Sequence, residues 1–186
     1  AQVETQCYEI AFAAGGQGQE YLVGGWSFPE KDHTWTLGNE CSIQLPVAAC
    51  NSSLALEFLC SPMTYRDMIQ FQRLVVEVNG VVIAQLILRD ESRHELLIPL
   101  EIVRGRNLVD ITFRVLDACS PQVLGISGDE RHLGLRMIYL KLQPLGQAPI
   151  SSKILSDQAI LTDIESLGIN CELGFVQRSV GAEPLS

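Results

Sequence analysis

The sequence lacks any apolar run approaching the roughly 20 residues that cross a bilayer as a helix, so no membrane-spanning helix and no membrane partner are expected. Its histidines, His33, His94 and His132, stand far apart, none in a His-Glu-x-x-His array, and its six cysteines form no Cys-x-x-Cys pair. Zinc sites of those spacings are therefore excluded. No Gly-x-Ser-x-Gly elbow, P-loop or dinucleotide fingerprint occurs, and "GGQGQE" lacks the following helix that its phosphate reading would need. Basic residues are scarce: 13 Lys and Arg stand against 22 Asp and Glu, a formal charge of −9. Phosphate contacts need clustered cations, which argues against nucleic acid or an anionic membrane as partner. The opening "AQVETQCYEI" shows no secretory leader, and a cytoplasmic protein is expected, with a cell-envelope or extracellular location as the alternative. The missing initiator Met and the ending "GAEPLS" read as an excised piece of a longer protein.

What is present is a chain of short strands. At 186 residues one domain can bury roughly 70% of its unfolded surface, enough to fold without disulfides or metal. "CSIQLPV" and "SLALEFLC" alternate apolar and polar residues, and so does "NLVDITFRVL", with Val109, Ile111, Phe113 and Val115 on one face. In "LVVEVNGVVIAQLIL" two β-rich runs flank Asn79-Gly80, a type I′ hairpin signal. "LGLRMIYLKL" has mixed parity, which implies burial on both sides or a bulge. Turn residues recur at the 8–12-residue spacing of sandwiches. The fold expected is all-β, an antiparallel sandwich of jelly-roll type over residues 1–146. Cys41 and Cys60 fall in register with inward-facing residues and read as buried thiols; a 41–60 or 50–119 disulfide is the alternative. The sequon Asn51-Ser52-Ser53 matters only in a secreted protein.

Residues 147–155 read as a linker marked by Pro149, Ser151 and Ser152. From Ser156, a candidate N-cap, a short helical extension over 156–186 places Ile160, Leu161, Ile164 and Leu167 on one stripe. Too short for its own core, it is expected to dock on the sandwich or in a dimer contact, or to open a following domain of the same chain.

The stretch "YLVGGWSFPEKDHTWTLG" resembles the Gly-Trp-Ser-x-Pro-Glu … Trp-Thr-x-Gly signature of β-sandwich accessory domains in bacterial glycosyltransferases and cell-envelope proteins. The resemblance continues through "VEVNGVVIA" and "SPQVLGISGDERHLGL". It implies a galactose-binding-like jelly roll and, as function, non-catalytic carbohydrate binding within a larger bacterial protein of glycan metabolism. The tail "ESLGINCELGFVQRSVGAEPLS" resembles the opening of bacterial domains related to papain-like cysteine peptidases, with Cys171 at the nucleophile position. Such a cysteine needs a His base and an Asn or Asp far downstream, and this fragment should not be an enzyme.

Sugar recognition needs aromatic faces plus acids for hydroxyl groups. Trp26, Glu30, Asp32, His33 and Trp35 supply these types and are the candidate ligand-binding residues. Both tryptophans can equally be core anchors. Asp129-Glu130-Arg131-His132 lies in an extended segment whose neighbours point to opposite faces. It reads as a structural corner, with Arg131 paired to an acid such as Glu30. No cofactor is expected; a structural calcium on carbonyls of the Gly15–Glu20 loop and Glu20 is the alternative. The competing functions are a structural or protein-interaction sandwich, including a homodimer, and a fragment of a cysteine-dependent hydrolase using Cys171.

Overall fold

A computed structural model of the chain describes residues 7–48 and 50–145. The predicted linker, the helical extension and Cys171 lie outside them. The strands are β1 (Tyr8–Ala11), β2 (Leu22–Gly24), β3 (Thr34–Leu37), β4 (Glu40–Pro46), β5 (Leu54–Pro62), β6 (Gln72–Val78), β7 (Val81–Leu88), β8 (Ser92–Ile98), β9 (Leu108–Val115) and β10 (Leu133–Pro144). A helical turn, Leu100–Val103, connects β8 to β9.

The strands form two five-stranded sheets, and every strand pairing is antiparallel. In one sheet the order is β1-β10-β5-β8, with β3 on the same side of β10 as β1. The other runs β2-β4-β9-β6-β7. From β3 to β10 successive strands change sheet at every step except the β6–β7 hairpin, the double Greek key of a jelly roll and the all-β sandwich the sequence predicts. The Asn79-Gly80 hairpin forms with both residues at positive φ, 50° and 79°, and joins β6 to β7 within one sheet.

Alternation within the strands makes the core. Cys41, Ile43 and Leu45 of β4 meet Val109, Ile111, Phe113 and Val115 of β9 and the inward residues of β5, all essentially without solvent contact. Each such large side chain contributes roughly 1.5–3 kcal/mol on burial. The mixed parity of β10 resolves as a bulge: its register with β5 shifts between Met137 and Tyr139, so Met137 and Leu140 both point inward.

The five cysteines among the described residues are free. Cys41 and Cys60 lie in different sheets, each enclosed by apolar neighbours. Burial drives the Cys41 thiol pKa well above its ordinary value and that of Cys60 up to about 12. The alternative bridges 41–60 and 50–119 are not formed.

Candidate carbohydrate site at the sandwich end

The segment following β2 builds one end of the sandwich. At Gly25 the chain leaves the edge of one sheet for the edge of the other: Gly25 O accepts from Leu37 N (2.7 Å), Trp26 bridges Thr36, and Ser27 N donates to Trp35 O (2.9 Å). Gly25 has φ +76°, and a Cβ there would lie 2.0 Å from Glu40 O. No other residue type fits this corner.

The same pairing separates the two tryptophans. Residues opposite each other in an antiparallel pair share a face, so Trp26 follows Thr36, which is buried and accepts from Leu135 N (2.9 Å). Trp26 stacks on Phe12 with centroids 5.1 Å apart and donates its indole N–H to Ser42 O (2.9 Å). It is a core anchor, which removes it from the ligand-binding group. Trp35, one residue off in the alternation, faces outward. There it packs with Met63, Leu124 and Leu133 in a small second cluster under the 118–126 segment.

The remaining three candidates do come together. His33 is 8% exposed and presents its ring edge to Trp35, centroids 5.5 Å apart. Its Nδ1–H donates to Asp32 (2.6 Å), and this bond holds the Asp32 carboxyl below the usual carboxylate range. Its Nε2 lies 3.3 Å from a Glu30 oxygen but out of line for a hydrogen bond. Glu30 in turn stands 3.8 Å from the Arg131 guanidinium. Arg131 is gripped more tightly by Asp129 (2.6 Å), which lowers the Asp129 pKa and raises that of Arg131. Asp129 also takes bonds at its carbonyl from Ser120 and Gln122. The acid-rich corner is therefore tied into its own loop while touching the Glu30 loop through one arginine.

The open aromatic face that sugar binding requires belongs to Phe28, 91% exposed, two residues from Glu30. Its signal in the sequence is the Phe28-Pro29 step, since a residue before proline is held extended and away from helix.

Ser92 Oγ and His94 Nε2 are 2.9 Å apart. The serine hydroxyl donates to Asp90 O (3.1 Å), so it accepts from the ring rather than losing a proton to it, and the ring itself packs against Phe58. In the Gly15–Glu20 loop the carbonyls of Gln17 and Gly18 accept backbone hydrogen bonds, and Glu20 is the sole carboxylate. Calcium takes six to eight oxygens, backbone carbonyls and waters among them; among the described residues no group of three or more His, Cys, Asp and Glu side chains is placed to hold a metal.

No family model matches the chain, and neither does any curated protein. Among solved structures it is similar to the CBM22-1 xylan-binding domain of Paenibacillus barcinonensis Xyn10C, at 10% identity and a TM-score of 0.51, over 80% of this chain and 100% of that one. A CBM36-1 domain of a multidomain xylanase from the hindgut metagenome of Trinervitermes trinervoides aligns with 76% of this chain and 99% of its own, at 14% identity and a TM-score of 0.41. A family GH115 4-O-methyl-α-glucuronidase with specificity for decorated arabinogalactans aligns at 12% identity and a TM-score of 0.44, over 78% of this chain but only 18% of its own. At such identities the likeness establishes the fold, the β-sandwich seen in carbohydrate-binding modules.

Proposed function

We propose that the described domain is a non-catalytic carbohydrate-binding module serving a larger bacterial protein of glycan metabolism, its ligand lying against the loop that carries Phe28, Glu30, Asp32 and His33. The observation that carries this reading is Phe28: a ring 91% exposed, on a fold shared with a xylan-binding domain, beside two carboxylates and within one ion pair of Arg131. A pyranose has an apolar face for such a ring and hydroxyl groups for the charged rim. Trp35 and His33 support the loop from beneath rather than forming the platform. A glycan array with the intact chain, followed by titration of the best ligand against Phe28→Ala and Asp32→Asn, tests it. Loss of one aromatic contact, about 0.5–1.5 kcal/mol, should weaken binding by up to about tenfold with the thermal midpoint unchanged. An array without a binder would overturn the reading, and undiminished affinity in Phe28→Ala would move the site elsewhere.

A further inference from the structure

A sheet edge exposes a row of unpaired backbone N–H and C=O groups, and proteins blunt such edges with short strands, charges, proline or a covering segment. Three of the edges here are managed in these ways. Strand β2 has three residues and β1 four; the free side of β3 is covered by Gly25–Ser27; and β8 presents Arg93 and Glu95 to solvent. Strand β7 is different. Its eight residues, VVIAQLIL, include no ionisable side chain and no proline. It pairs with β6 alone, and no other backbone hydrogen bond reaches it among the described residues. Val82 is 47% and Ile87 63% exposed along it. A shallow groove lined by Arg73, Val75, Gln85, Leu86, Ile87 and Leu116 continues the strip onto the outer face of β6, where Arg73 is held by Asp117.

We propose that two copies of this chain associate by antiparallel pairing of β7 with β7 across a two-fold axis, joining two five-stranded sheets into one of ten strands. A second strand satisfies this row of backbone groups residue by residue, and two-fold pairing satisfies both copies at once and closes at two. Charge selects the occupant. Each chain carries −9, so two copies repel over most of their surfaces, and the long uncharged edge is where they meet without like charges opposed. A foreign strand chosen by charge complementarity would find no ion-pairing partner on β7. Eight residues and the adjoining groove offer less than the roughly 800 Å² per partner of a standard interface, so the dimer is a weak one.

Sedimentation equilibrium of the full 186-residue chain, from about 1 to 500 μM, spans the range expected for a small interface. The mass should double with concentration. The Val82→Lys/Ile87→Lys variant, which places charges on the edge, should raise the dissociation constant at least about tenfold with an unchanged circular dichroism spectrum. In the wild-type chain, amide exchange across Val81–Leu88 should slow as concentration rises while β8 amides stay constant, which decides the matter even if the variant fails to fold. A monomer across the whole range overturns the proposal and leaves the edge to a foreign strand. A dimer that the double variant does not weaken, or whose formation leaves β7 exchange unchanged, overturns it equally.

Discussion

Trp26→Ala should unfold this domain more easily while leaving ligand contacts intact, and Phe28→Ala should do the reverse. Trp26 is partly buried, stacked on Phe12 at 5.1 Å and bonded to Ser42 O at 2.9 Å. Truncating a buried Trp costs about 3–5 kcal/mol. Since part of the indole reaches solvent, the lower end applies, about 3 kcal/mol, with up to about 1 kcal/mol more for the Ser42 carbonyl left without its donor. For a chain of this size each kcal/mol moves the midpoint by about 2–4 °C, so a fall of roughly 6–16 °C is expected. Trp26→Phe retains the stacking and loses mainly the hydrogen bond, so its fall should be about a quarter of that. Phe28 buries almost nothing, and its alanine variant should melt within about 2 °C of wild type. Scanning calorimetry on the three variants checks the ordering. A Trp26→Ala midpoint indistinguishable from wild type, or a Phe28→Ala midpoint that falls as far, would refute the assignment of one ring to the core and the other to solvent.

Burial lowers the His94 pKa below its ordinary value of 6.5, so below about pH 6.5 the unfolded chain binds more protons and stability should fall as pH drops from 7 to 5; thermal midpoints should show this slope flatten in His94→Phe. Native thiol titration at pH 8 should label Cys7, the exposed described cysteine, rapidly, while Cys41, Cys50 and Cys60 react only after denaturant is added, because a thiol raised to about 12, as at Cys60, is almost wholly protonated. Gly25→Ala should destabilise far more than Gly80→Ala: both glycines have positive φ, but a Cβ at Gly25 strikes Glu40 O at 2.0 Å while none is obstructed at Gly80. Urea midpoints should show a loss of about 1 kcal/mol at Gly80 and several at Gly25.

The sequence by itself determined what depends on neighbours within one strand or turn. Period-two alternation set which residues of β4, β5 and β9 face inward, because successive side chains must point to opposite faces. The β6–β7 hairpin followed from Asn79-Gly80, whose positive φ values few other residue pairs adopt. Broken parity in "LGLRMIYLKL" left burial on both sides or a bulge open, and the register shift of β10 against β5 is the bulge. Tertiary structure decided what depends on which strand lies beside which. Trp26, Glu30, Asp32, His33 and Trp35 form one composition in the chain, but Trp26 is fixed opposite Thr36 and turned into the core, while Trp35 turns out onto a second cluster. That division follows from a pairing register between segments separated by the Phe28–His33 loop, which no local pattern encodes. Tertiary structure also brought Arg131 to Glu30 across about a hundred residues of chain and left Phe28 with nothing to cover it. Likewise β7 reads locally as an ordinary apolar strand. Only the strand order, which ends that sheet at β7, makes it an edge.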